Sequence, residues 1–143
     1  MSPRWEPNPD VRAGRHVEYH LHAHLVFLTK YRRGALTGPM LSRCEQIMRE
    51  ICADFEVELR EFNGEDDHVH LLVHYPPKVA LSKLVNSLKG VSARILRKEF
   101  GTHVRDHQPG GGRFWSGSYF AGSAGGATLT MVKQYIEQQN RPL

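Results

Sequence analysis

The chain has 143 residues, enough for one compact domain and too few for a second of ordinary size. Hydrophobic residues make up 40% of it, and 19 Lys and Arg stand against 15 Asp and Glu for a net charge of +4. That balance excludes a disordered polyelectrolyte and is compatible with a polyanionic partner without requiring one.

Along the chain, residues 1–15 carry Pro3, Pro7, Pro9 and Gly14 among charges and read as a loose tail, leaving 16–143 as a single domain. No apolar run approaches the roughly 20 residues of a membrane span, and the opening MSPRWEPNPD lacks a signal-peptide pattern. A soluble cytoplasmic protein with no membrane partner is expected. From Val17 to Thr29 the pattern is that of a strand, ending in the apolar run Leu25, Val26, Phe27, Leu28. Gly34, Gly38 and Pro39 then punctuate the chain before a helix over Met40–Phe55, whose apolar residues follow helical spacing. Cys44 and Cys52 fall on its apolar face and read as buried thiols, without zinc spacing or a disulfide framework.

A strand is expected over Phe55–Phe62, a turn at Asn63-Gly64, and a second strand over His68–Tyr75 stopped by Pro76-Pro77. A second helix over Leu81–Phe100 has Leu81, Leu84, Val85, Leu88, Val91 and Ile95 on its inner face. A glycine-rich loop follows Gly101, then a short strand near Ser118–Ala121, and Gly122, Gly125 and Gly126 lead into a last helix over Thr128–Gln139. The order predicts an α+β fold: a ferredoxin-like, RRM-like βαββαβ antiparallel sheet with helices on one face and an extra C-terminal helix.

Alternation along a strand puts His68 and His70 on one face, where two imidazoles can converge on a divalent ion. His20, His22 and His24 repeat the same spacing on the first strand, and His74 shares the face of His68 and His70. Periodicity does not choose among them. On the last helix Tyr135 and Gln139 lie one turn apart on one face, beside a stripe of Leu129, Val132 and Ile136. By composition alone, Tyr135 reads as the edge of that stripe, packed in a core or interface.

Five segments in order carry a resemblance: HLVFLTKYRR (24–33), DHVHLLV (67–73), LKGVSARILRKEF (88–100), FWSGSYFAG (114–122) and QYIEQQ (134–139). Together they resemble the single-tyrosine HUH transposases of the smallest bacterial and archaeal insertion sequences, over about residues 17–140. The resemblance implies an enzyme that cleaves and rejoins single-stranded DNA at terminal hairpins through a 5′-phosphotyrosine. It makes Tyr135 the nucleophile and His68, His70 and Gln139 the ligands of Mg2+ or Mn2+. It further implies a homodimer whose last helix completes the partner's site in trans, with Gly122, Gly125 and Gly126 as hinges. Two imidazoles and an amide oxygen alone are equally compatible with zinc or manganese.

For DNA contacts the candidates are Lys30, Tyr31 and Arg32, the basic-helix residues Lys89, Arg94, Arg97 and Lys98, and Trp115 and Tyr119, with Phe120 a further ring for stacking. Two other functions share these features. One is a domesticated HUH nickase acting on repeated palindromes. The other is a non-catalytic RRM-like nucleic-acid-binding module, which would carry paired aromatics on its outer face where this chain has His68 and His70.

Overall fold

In the structure, a computed structural model, residues 12–13, 18–31, 34–108, 112–124 and 129–139 are described. The strand β3 (His22–Leu28) turns Ala23, Leu25 and Phe27 to one side and His22, His24, Val26 and Leu28 to the other. Val26 and Leu28 are buried as well as Leu25 and Phe27, because this central strand is covered on both faces. It pairs antiparallel with β5 (His68–His74) on one side and β6 (Phe120–Ser123) on the other; β4 (Glu58–Glu65) adds to the far edge of β5. The sheet order is β4-β5-β3-β6. This is the ferredoxin-like order expected for four strands connected βαββαβ.

Two long helices cover one face. Helix α1 (Gly38–Asp54) is capped by Thr37, whose hydroxyl accepts the Met40 N–H at 3.3 Å, and Pro39 occupies its first turn. It buries Met40, Cys44, Ile47, Met48, Ile51 and Cys52. Helix α2 (Leu81–Glu99) buries Leu84, Val85, Leu88, Ser92 and Leu96. Both stripes join Leu25, Phe27, Val69, Leu71 and Val73 in one core. The two cysteines are free and buried, and burial pushes both thiols up to about 12, as inert core residues behave.

Several expectations are corrected. The hairpin turns at Asp66-Asp67, not at Asn63-Gly64, which lie inside β4. A β-bulge between Leu59 and Glu61 shifts the register, and Gly64 does not adopt a positive φ. Gly64 is instead demanded by close approach: a Cβ there would sit 2.7 Å from Leu41 Cδ2 and 3.0 Å from the His68 carbonyl oxygen. The first predicted strand is broken at His20-Leu21, leaving β2 (Glu18–Tyr19) to pair with β1 (Arg12–Ala13) inside the segment read as tail. The rest of 1–15 lies outside the described residues.

The loop expected after Gly101 begins as a helix, α3 (Gly101–His107), anchored by buried Val104 and by His103 Nε2 at 2.9 Å from the Gly34 carbonyl. Gln108 then donates to the Phe114 carbonyl at 2.8 Å. The following segment is tied to the end of β3 by the Ser116 N–H to Leu28 oxygen bond at 2.6 Å and a Thr29–Trp115 bridge. Strand β6 begins two residues later than expected and includes Gly122, so Gly122 is a strand residue; Gly125 and Gly126 lie outside the described residues.

Gly64→Ala is expected to lower the unfolding free energy by about 1–3 kcal/mol, since the methyl meets a backbone oxygen that cannot move aside. Gly90→Ala, in open space within α2, is expected to stabilise by about 0.5–1 kcal/mol. Urea denaturation of both variants checks the pair; a neutral Gly64→Ala would refute the close-approach account.

Candidate active site

The β3–β5 register sets Leu28 opposite His68, Val26 opposite His70, His24 opposite Leu72 and His22 opposite His74. Partners opposite one another share a face, so these histidines line the side of the sheet turned away from α1 and α2. Asn63 and Glu65 on β4 pair with His70 and His68 and join them there. Thus the two candidate sets of histidines are not alternatives in space. They form one face with two ends.

At one end stand His68 and His70. His68 is 9% exposed, and its Nδ1 lies 2.8 Å from Asp67 Oδ1. A carboxylate at Nδ1 holds the proton there and leaves the Nε2 lone pair available, the arrangement that prepares imidazole for a metal. Glu65, Asp67 and His68 each place a ligand atom within 4.8 Å of the others. Glu65 and Asp67 were not among the expected site residues, although Asp67 directly precedes the His-x-His run. With the turn expected at Asn63-Gly64, the pairing that sets Glu65 opposite His68 could not be read from the sequence. His70 differs from His68: its Nε2 is 2.8 Å from His24 Nδ1. Burial, then the neighbouring His24, lowers the pKa of His70 below the ordinary imidazole value, while Glu61 opposes the shift.

The other end holds His20, His22 and His74. His22 stacks on His74 with ring centroids 4.1 Å apart and meets the Arg60 guanidinium at 3.1 Å. His74 packs edge-on against Tyr19. This end is an aromatic and guanidinium cluster; among the described residues the ligand atoms grouped within 4.8 Å are those of Glu65, Asp67 and His68 instead.

Helix α4 (Leu129–Gln139) lies across the same face of the sheet. A cleft of about 570 Å3 separates Glu65, His68 and His70 from Val132, Ile136 and Glu137 of the helix. Tyr135 is on the other flank. Its ring lies 5.4 Å from that of Phe120, and its hydroxyl is 3.4 Å from Ser118 Oγ. Within one chain, therefore, His68 and His70 line one cleft, and Tyr135 is not among the residues that line it. Gln139 is the last residue of α4, with its side chain outside the described set.

The candidate DNA contacts divide. Trp115 is only 2% exposed and its indole N–H donates to Ser92 Oγ at 2.9 Å, which makes it a core residue. Lys89 donates to the Ser116 carbonyl at 2.8 Å and lies over the Tyr119 ring; burial and nearby Arg113 lower its pKa. Arg97 donates to the Gly112 carbonyl. These two cations clamp the 112–117 segment onto α2, beside a cleft of about 450 Å3 that Arg113 also lines. Arg94 and Lys98 are exposed on α2, and Tyr31 is 39% exposed with Lys30 over its ring. Arg32 lies outside the described residues. Among the described residues no helix is long and apolar enough to cross a membrane.

Both the sequence and the fold match known proteins. The profile of the family described as "Transposase IS200 like" matches residues 17–139. The chain is 32% identical over 131 residues to the ISDra2 transposase TnpA of Deinococcus radiodurans, covering 92% of each chain. It is 30% identical over 130 residues to the transposase for insertion sequence element IS200 of Salmonella typhimurium, covering 91% of this chain and 84% of that one. Among solved structures, a candidate transposase from Deinococcus radiodurans R1 superposes with a TM-score of 0.81 at 31% identity, over 92% of this chain and 99% of that chain. A REP-associated tyrosine transposase bound to a REP hairpin shares the fold, with a TM-score of 0.56 at 10% identity over 88% of this chain and 68% of that chain. The chain belongs to the IS200-like transposase family.

The lowered pKa of His70 makes a prediction for the metal-free protein. A depressed folded-state pKa favours the neutral ring, so its stabilising contribution is present above 6.5 and is lost as pH falls through the lowered value. The unfolding free energy of the wild type is expected to fall more steeply below 6.5 than that of His70→Gln. Denaturant titrations in chelator across that range measure the two slopes; equal slopes would remove the effect.

Proposed function

We propose that this transposase cleaves and rejoins single-stranded DNA at the hairpin ends of its insertion sequence, with Tyr135 as the nucleophile. The observation that carries the reading is the shared sheet face: His68 and His70 stand on it with α4, the helix of Tyr135, laid across it. Hairpin DNA as the substrate is in keeping with the REP hairpin held by the more distant structural neighbour.

The residues fit a divalent ion. His68 has its Nδ1 engaged by Asp67 and its Nε2 free to ligate, and two carboxylates stand within 4.8 Å of the imidazole ligand atom. Imidazole nitrogens with hard oxygens suit Mn2+ or Mg2+. In the proposed site His68, His70 and Gln139 hold the ion. When bound, it supplies positive charge where the scissile phosphate develops negative charge.

In the proposed reaction the Tyr135 oxygen attacks phosphorus, its proton passes to solvent or a neighbouring base, and the P–O3′ bond breaks. A free 3′-hydroxyl departs and a 5′-phosphotyrosine remains. Rejoining reverses the bond changes: a 3′-hydroxyl attacks the same phosphorus and Tyr135 leaves. The phosphodiester energy is kept in the covalent bond, so no nucleotide cofactor is required.

One tyrosine per chain holds one strand end, and joining two ends calls for a homodimer. That Tyr135 faces Ser118 and Phe120 rather than the His68–His70 cleft supports assembly in which the phenol reaches a histidine pair by movement of α4 or from the partner's helix. Gly125 and Gly126 are the proposed hinge, since Gly122 is paired within β6. Exposed Arg94, Lys98, Lys30 and Tyr31, with Arg32, are the proposed backbone and base contacts, while Lys89, Arg97 and Tyr119 shape the adjoining 112–117 segment.

Incubated with labelled single-stranded hairpin DNA and Mn2+, the protein is expected to form a covalent adduct that survives denaturation. Tyr135→Phe is expected to form none, and Asp67→Asn to slow adduct formation about 10- to 100-fold through misorientation of His68. Binding without an adduct in the wild type would refute the enzyme reading in favour of a binding module. Mixing His68→Ala/His70→Ala subunits with Tyr135→Phe subunits is expected to restore cleavage if sites form in trans; no recovery would place each site within one chain.

A further inference from the structure

The two histidines of the His-x-His pair are prepared differently. His68 is oriented from Nδ1 by Asp67, and among the described residues its Nε2 makes no hydrogen bond. His70 is engaged at Nε2, by the Nδ1 of His24 at 2.8 Å, with the rings 5.0 Å apart and tilted by 39°. The register explains the contact. His24 pairs with Leu72, two residues along β5 from His70, so the two imidazoles are diagonal neighbours on one face.

From this geometry we infer that His24 is an internal competitor for the metal at His70. The inference rests on the metal-centre reading proposed above. An unprotonated imidazole nitrogen has one lone pair. If His24 donates its Nδ1–H, that lone pair on His70 is taken. If His70 carries the proton on Nε2 and donates it, the nitrogen has no lone pair to give. In either tautomer, ligation through His70 Nε2 breaks the 2.8 Å bond and displaces His24. The protein thus holds its second ligand satisfied when no metal is bound, and an ion displaces one internal hydrogen bond to reach it.

His24 pairs with Gly122 on β6, which places no side chain beside it. Strand β6 leads in sequence to the helix carrying Tyr135, so His24 joins the metal ligand to the strand before that helix.

Mn2+ affinity of the full-length protein without DNA, read by electron paramagnetic resonance, tests the inference. His24→Phe keeps a ring and removes the nitrogens; it is expected to bind Mn2+ roughly 3- to 10-fold more tightly than wild type, the worth of one internal hydrogen bond. Unchanged or weaker binding would overturn the inference. A measurement on the wild type guards against a variant that fails to fold. In nitrogen-15 spectra of the histidine rings, added Mg2+ is expected to shift the His24 and His70 signals together and abolish the coupling across their hydrogen bond. A His70 shift with that coupling intact, as ligation through Nδ1 would give, overturns the inference as well. Retention of wild-type Mn2+ affinity in His68→Ala/His70→Ala would instead overturn the metal centre itself.

Discussion

The antiparallel register between β3 and β5 is the constraint on which the rest depends. With Val26 opposite His70 and Leu28 opposite His68, Leu25, Phe27, Val69, Leu71 and Val73 all turn toward α1 and α2, and every histidine of the two strands turns the other way. A slip of one residue would turn the apolar set away from α1 and α2 and press the imidazoles against them, so the hydrophobic core itself enforces the placement of these histidines. The bulge in β4 and the close approach at Gly64 adjust the third strand to this pair, bringing Asn63 and Glu65 beside the histidines.

On that rigid face the chemistry-bearing groups come from elements of unequal anchorage. His68 and His70 sit on a strand paired on both sides. Tyr135 sits on a helix for which Val132 is the buried hydrophobic among the described residues, whereas α1 and α2 bury whole stripes. An element held by few apolar contacts opens at low cost. A helix of this kind suits the proposed reaction, in which a phenol approaches and then carries a strand end away. The pairing of a stable imidazole platform with a lightly held tyrosine helix is therefore consistent with strand transfer.

The basic helix illustrates how charge alone misleads. Lys89 and Arg97 count toward a positive face in the sequence, yet each spends its N–H on a carbonyl of the 112–117 segment. They fix the path of residues 112–117, together with the buried Trp115–Ser92 bond and the Gln108–Phe114 bond. Arg94 and Lys98 remain at the surface of α2. A donor already used within the fold is not available to a partner, although the remaining donors and the charge are.

Much was legible from local pattern. The helical stripe from Met40 to Cys52, the stripe from Leu84 to Leu88, the strand His68–His74 and the shared face of His68 and His70 all follow from side-chain periods of 3.6 and 2.0, which depend on the backbone alone. So did the βαββαβ order and the burial of both cysteines. What local pattern lacks is the partner across a strand. The turn at Asp66-Asp67, the bulge after Leu59, the helix at Gly101–His107 and the meeting of His24 with His70 are settled by long-range pairing. An Asn-Gly pair signals a turn only where nothing packs on it, and here Leu41 of α1 packs over Gly64. By itself the sequence determined the apolar faces of the two long helices and the shared face of His68 and His70. The tertiary structure alone decided which nitrogen meets which, because hydrogen-bond partners are chosen by register and distance rather than by spacing along the chain.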